Sequence, residues 1–98
     1  MEYKRLKRIT SHVGYARFLS EVTGSPEDDC VPIGYIPRVK SIPSPYHYSF
    51  TIGIYVWNGQ NIFTRQTSHK VYEVFAVPAE QVIYSTEDEA FKVFKAGN

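Results

Sequence analysis

The first ten residues repeat apolar side chains every three positions, at Tyr3, Leu6 and Ile9. On a helical wheel these three share one arc, and the basic residues of the segment occupy the rest. Strand alternation would instead put Lys4 on the same face as Leu6. The pattern therefore predicts a short amphipathic helix over residues 2–10.

A second helical stripe follows Gly14. Its apolar members are spaced i, i+3, i+4 and i+7, at Tyr15, Phe18, Leu19 and Val22. Ser11 suits the N-cap and Gly24 the C-terminal glycine. We expect a helix over residues 11–24, with a break from the first one near Ser11–Gly14.

Residues 24–45 contain five of the six prolines. Each proline removes a backbone donor and extends its predecessor, which excludes a regular helix or a central strand. One short edge strand around residues 34–41 is compatible with this composition. The isolated apolar residues of the segment indicate that it still packs on the rest of the chain.

The stretch YHYSFTIGIYVWNG, residues 46–59, predicts the first arm of a β-hairpin. Asn58-Gly59 is the preferred pair for a type I′ turn, so position i should face position 117 − i. One face then carries four residues that we assign to the core: Phe50, Ile52, Ile54 and Val56. The other face brings together Tyr55, Trp57 and, across the hairpin, Ile62, which raises the question of what covers these rings.

Residues 70–77 are apolar on both faces and predict a central strand, and residues 81–84 predict a short fourth one. Thr86 begins a capping box for a helix over 87–96 whose buried stripe is Ala90, Phe91 and Phe94. The whole predicts one α+β domain, residues 1–98. It has an antiparallel sheet of about four strands, a C-terminal helix and one or two short N-terminal helices. Four segments follow in order: a basic helical part at 1–23, a proline-rich connection at 24–45, strands at 46–85 and the helix at 86–96.

Charge and cysteine content give information about binding surfaces and about the cellular compartment. The net charge is +1, but residues 1–17 hold five basic residues against Glu2 alone, which predicts a local basic patch. The single cysteine, Cys30, excludes an intramolecular disulfide and favours a reducing compartment. No signal-peptide core or membrane-length apolar run is present, so we expect a cytoplasmic protein without a membrane partner. Its small size also fits a viral origin, in which case the compartment is the host cytoplasm.

The sequence lacks the common enzyme motifs, and its three histidines are far apart. The acidic run Asp28-Asp29-Cys30 fits a solvated loop better than a metal site, which needs a defined ligand set. We therefore expect a non-enzymatic protein with no cofactor and no metal.

Two binding functions fit what remains. The first is a regulatory or inhibitor protein that contacts another protein, or a second copy of itself, through aromatic residues of the sheet. Its expected contact residues are Tyr55, Trp57, Ile62, Tyr46 and Tyr48. The alternative is a nucleic-acid-binding module, with phosphates on basic side chains and bases on rings. Its expected contact residues are Lys4, Arg5, Lys7, Arg8, Arg17 and His47.

Overall fold

In the computed structural model, which describes residues 2–46 and 49–97, five antiparallel strands form a sheet in the order β1-β5-β4-β3-β2. Two α-helices pack on this sheet, which confirms the α+β class; the sheet has five strands rather than about four. The elements run as follows: β1 (Arg5–Ile9), α1 (His12–Thr23), β2 (Gly34–Pro37), β3 (Thr51–Trp57), β4 (Gln60–Ser68), β5 (Val71–Ala76) and α2 (Glu87–Ala96).

The predicted helix over residues 2–10 is wrong, because Arg5–Ile9 is the edge strand β1, paired with β5. The register shifts between Arg5 and Lys7, so Leu6 is an extra residue in the pairing. Such a bulge breaks the strict alternation of a strand. Leu6 and Ile9 consequently pack on the same cluster although they are three residues apart. The bulge thus reproduces the helical spacing of Leu6 and Ile9, whereas Tyr3, the first residue of the predicted stripe, packs against Phe63 on the opposite face.

The hairpin follows its predicted register. Tyr55 pairs with Ile62, and Trp57 pairs with Gln60. In both pairs position i faces position 117 − i, as expected for a two-residue turn. Asn58 has a φ of 51° and Gly59 a φ of 72°. Positive φ at both central positions is what a type I′ turn requires, and it explains why Asn-Gly occupies this corner.

Helix α1 is confirmed, together with both of its caps. The Ser11 side chain accepts a hydrogen bond from the Gly14 amide, and Gly24 closes the helix in the left-handed region at φ 71°. The predicted stripe faces the sheet: Phe18 is buried, and Tyr15, Leu19 and Val22 pack around it. Helix α2 likewise begins at the predicted cap, where Thr86 accepts from the Glu89 amide.

The sheet separates two apolar clusters. The first joins β2, β3, β4 and β5 with the segments that follow β2 and β5; its buried members are Ile36, Val39, Ile52, Ile54, Phe63, Phe75 and Val77. The second lies under α1; its buried members are Ile9, Phe18, Ile62, Tyr72 and Val74. Strand β5 contributes to both clusters from an interior position, as predicted for a strand that is apolar on both faces.

Three expectations about depth and extent need correction. Phe50 and Val56 are 49% and 41% exposed, although they share the core face of the hairpin. Val56 lies one residue from the end of β3, and Phe50 precedes β3 and contacts α2 instead. Residues 81–84 form no strand; Tyr84 makes one isolated bridge to Tyr35.

Neither α1 nor α2 is long and apolar enough to span a bilayer, and the described residues include no other α-helix.

Candidate functional site

The aromatic face of the hairpin lies against α1. Ile62 has no exposed surface, and Tyr55 and Trp57 are half-buried. The Trp57 ring meets Phe18 edge to face at a centroid distance of 5.3 Å. The chain's own N-terminal half therefore occupies much of the surface that the sequence offered to a partner. Of the other two residues in that prediction, Tyr46 is 42% exposed, and Tyr48 lies outside the described residues.

A different group of rings is open to solvent. Phe50 contacts Phe91 and Phe94 of α2, with centroid distances of 5.5 Å and 5.3 Å. We call these three residues the phenylalanine surface. Phe50 and Phe91 remain 49% and 39% exposed, so the contact leaves large parts of both rings in water. The sequence placed Phe50 and Phe91 in the core because both have the right periodicity. Periodicity does not reveal how far α2 extends beyond the sheet.

Basic residues lie beside the phenylalanine surface. The Lys40 ammonium is 5.8 Å from the centroid of the Phe94 ring, a cation–π distance. Arg38 and Lys40 line a shallow cavity of about 180 Å³ together with Phe94. This side of the molecule therefore combines exposed rings with positive charge.

Arg65 is the principal electrostatic anomaly of the fold. It lies on the core face of β4 with only 2% exposure. Its Nη2 donates to the Val39 carbonyl at 3.0 Å, while Nε and Nη1 have no acceptor among the described residues. Burial, and then the charge of Arg38, lower the pKa of Arg65 to about 10. The register placed Arg65 on the core face, but nothing local indicated that it would be covered so completely.

Of the basic residues proposed for nucleic acid, four lie on or beside β1 and one lies on α1. Lys4, Lys7 and Arg8 are exposed at or beside the edge strand β1. The Arg5 guanidinium instead pairs with Glu73, at 2.6 Å between Nη1 and Oε2. Arg17 lies on α1, where it lines a cavity with Glu21 and Glu27. The last residue of that prediction, His47, lies outside the described residues.

A cleft of about 320 Å³ remains open on the face that α1 covers only in part. Three tyrosines from three elements line it: Tyr15 of α1, Tyr35 of β2 and Tyr55 of β3. Glu87, at the start of α2, completes the wall. We call this space the tyrosine cleft. No sequence motif marks this cleft, because its residues are distant along the chain and meet only through the fold.

Polar contacts fix one wall of the tyrosine cleft. The Tyr15 hydroxyl hydrogen-bonds with Thr64 Oγ1 at 2.7 Å, and the Tyr15 ring stacks on Tyr72 at 4.0 Å. Burial raises the pKa of Tyr15, and burial followed by the neighbouring Tyr15 raises that of Tyr55 to about 12. The floor includes Gly53, where a Cβ would come within 2.6 Å of the Pro32 ring.

Two further polar contacts of the described residues involve histidine and cysteine side chains. His12 Nδ1 is 2.5 Å from the Tyr72 hydroxyl, and the His69 ring lies edge-on to His12 at 5.3 Å. Cys30 is half-buried, with its thiol near the Pro26 carbonyl. No group of three or more His, Cys, Asp or Glu side chains within residues 2–46 and 49–97 has metal-site geometry. The expectation that the protein is not an enzyme stays a prediction, which rests on the missing motifs.

Comparison with known proteins adds no relative to this picture. No protein-family model matches the chain, and searches of curated proteins and of solved structures found no match.

Proposed function

We propose that the protein is a small non-enzymatic binding protein that occludes another protein through the phenylalanine surface. The observation that carries this proposal is the exposure of two contacting aromatic residues, Phe50 and Phe91. Clustered large apolar side chains in water are costly, and such patches usually mark contact surfaces. Aromatic residues also supply much of the binding energy in protein interfaces.

The charge beside the rings indicates the chemistry of the partner. Arg38 and Lys40 line the cavity next to Phe94. A surface of this kind suits a partner that offers apolar side chains flanked by carboxylates. Charge complementarity of this type mainly sets the association rate and the choice of partner.

The proposed centre differs from the one that the sequence suggested. Tyr55 and Trp57 pack with α1, and Ile62 is covered, so less of their surface is available to a partner. A contact around Phe50 and Phe91 needs no rearrangement of α1. For that reason we place the centre of the interface on the phenylalanine surface.

Affinity capture from a lysate of the source cells tests this proposal, with bound proteins identified by mass spectrometry. Phe91→Ser should lose a protein that the wild type retains, by about tenfold or more, as expected for a hot-spot residue. Val13→Ser is the matched control, because Val13 is 59% exposed on the other helix. A capture pattern that is the same for wild type, Phe91→Ser and Val13→Ser would refute the proposal.

Nucleic-acid binding remains the second candidate because Lys4, Lys7 and Arg8 are all exposed near one edge of the sheet. Lys7→Glu with Arg8→Glu should abolish such binding and its salt dependence, and leave a contact at Phe91 intact. Nuclease treatment of the same lysate distinguishes the two candidates. Sedimentation of the purified protein tests the third possible occupant of the phenylalanine surface, a second copy of the chain.

A further inference from the structure

The tyrosine cleft has the size of a small-ligand site. Its volume of about 320 Å³ lies at the lower end of the range of ligand pockets, roughly 300–1,000 Å³. It is lined by α1, β2, β3, β4 and the first residue of α2. None of the three residues of the phenylalanine surface lines it, so its role is independent of the function proposed above.

Two residues of the cleft are tied to other parts of the fold, Tyr15 through its side chain and Tyr35 through its backbone. Tyr15 is fixed by its stack on Tyr72 and by its hydrogen bond to Thr64. Tyr35 is anchored through its backbone, which exchanges two hydrogen bonds of 2.8 Å with Tyr84. A preorganised wall spends little entropy on binding, which favours ligands too small to order a loose site.

Among the described residues that line the cleft, Glu87 alone carries a charge. The ion pair of the described residues, Arg5–Glu73, does not involve it. Burial keeps the pKa of Tyr15 and Tyr55 above the ordinary phenol value, so both hydroxyls stay neutral near pH 7. The part of the lining that the structure describes thus presents aromatic rings, neutral oxygens and one carboxylate, a combination that suits a positively charged ligand.

We propose that the tyrosine cleft binds a small organic cation, a substituted or quaternary ammonium group. Aromatic rings attract such cations through their quadrupole, and a carboxylate at the rim adds a direct charge interaction. An ammonium group bearing methyl substituents is also weakly hydrated, so it gives up little solvation on entering a half-buried site.

Choline and its uncharged isostere 3,3-dimethylbutan-1-ol test the proposal directly, since they have nearly the same shape and differ in charge. Titration of the purified protein, followed by calorimetry and by the NMR signals of the tyrosine rings, should show choline binding on the order of millimolar. The isostere should bind at least about tenfold more weakly. Absence of choline binding, or equal binding of the two compounds, would overturn the proposal.

A pair of variants tests the role of the carboxylate. Glu87→Gln should weaken choline binding about fivefold, the loss expected for one solvent-exposed charge pair at contact distance. Asp88→Asn is the matched control: it removes a charge from the same turn of α2 but lines no part of the cleft. The Asp88→Asn variant should bind choline with the affinity of the wild type. If both variants lost the same affinity for choline, the loss would come from the general negative charge of this end of α2. Such a result would contradict a direct contact of choline with Glu87.

A second pair tests the ring. Tyr35→Leu should weaken binding about two- to fivefold, because it removes one cation–π contact. Tyr35→Phe keeps the ring and should retain the wild-type affinity. If the phenylalanine variant loses as much as the leucine variant, recognition depends on the hydroxyl group and the cation–π proposal fails. The folding of each variant is checked by the unchanged amide spectrum of residues outside the cleft.

Discussion

Arg65 shows at the scale of one residue how a strand pattern and a core can conflict. Alternation puts its side chain on the same face as Phe63, which has no exposed surface. The guanidinium then loses water and, among the described residues, gains only the Val39 carbonyl as an acceptor. A buried charge without a partner is costly, and an apolar side chain of similar length is often as good or better at such a site.

We therefore expect Arg65→Met to raise the free energy of unfolding, by about 1 kcal/mol after the loss of the Val39 hydrogen bond. Arg65→Ala should lower it by about 2 kcal/mol or more, because it leaves a cavity. Urea denaturation followed by circular dichroism measures both. A large destabilisation in the methionine variant would show that the guanidinium has a stabilising partner in the folded protein.

A second prediction at the scale of one residue concerns the pKa of Tyr55. Its pKa is raised from 10.0 to about 12, so the folded state keeps the phenol proton over a range where the unfolded state has lost it. The stability that this group contributes is complete below pH 10 and is lost as the pH rises from 10 towards 12. Tyr55→Phe has no such proton, so its stability should fall less steeply in that range.

Denaturation of wild type and Tyr55→Phe between about pH 9 and 11 measures the difference. Arg65, whose pKa is lowered, acts in the opposite direction at high pH, but it is present in both proteins and does not affect the comparison. The exposed Tyr46 provides the control, since Tyr46→Phe should follow the wild type. Parallel curves for all three would contradict a buried Tyr55 hydroxyl.

At the scale of elements, the success of each sequence prediction followed the locality of its signals. Both helices begin at the predicted caps, and the hairpin has the predicted register, because a cap or a two-residue turn is decided within a few residues. The tyrosine cleft and the depth of Phe50 depend on how distant elements meet, and no local pattern contains that information. The prediction of a helix over residues 2–10 was wrong for another reason. The bulge at Leu6 interrupts the alternation of β1, so that Leu6 and Ile9 share a face although they are three residues apart.

The two helices should respond differently to loss of their caps. Ser11→Ala should lower the global free energy of unfolding by about 1 kcal/mol, because α1 covers the second cluster through Phe18. Thr86→Ala removes a similar bond from α2, in which Ala90 is buried, Phe94 is half-buried and all other residues are exposed. Its cost should appear as faster local opening of α2, with little change in global stability.

Native-state amide hydrogen exchange separates the two outcomes. In Thr86→Ala, protection should fall for the amides of α2 and remain in β4 and β5. In Ser11→Ala, the most protected amides of the sheet should exchange faster by about the same factor. A uniform loss in both variants would show that α2 is as tightly coupled to the core as α1.

At the scale of the whole molecule, β1 and β2 are the two outer strands of the sheet, and they are protected in different ways. Strand β2 is partly covered by the bridge between Tyr35 and Tyr84. Strand β1 instead carries exposed basic residues, among them Lys7 and Arg8. Charged side chains on an outer strand oppose pairing between molecules, and lysine is the residue most used for this purpose.

Lys7→Thr combined with Arg8→Thr should therefore increase aggregation, seen as light scattering that grows with protein concentration. The double substitution Lys92→Thr and Lys95→Thr is the control, because it removes the same charge from the exposed face of α2. That control should stay clear at concentrations where the β1 variant scatters. If both scatter equally, net charge rather than edge protection keeps the molecules apart.

The pairing of β1 with β5 also sets the order of events during synthesis. Arg5 and Glu73, which form the ion pair between these strands, are 68 residues apart. A ribosome that adds about 5–20 residues per second needs about 3–14 s to supply the partner strand after β1 has been made. Throughout that interval β1 has no strand to pair with, while the hairpin of β3 and β4 can form as soon as it emerges. Strand β1 is thus made before the other four strands but can join the sheet only after β5, its pairing partner, has been made.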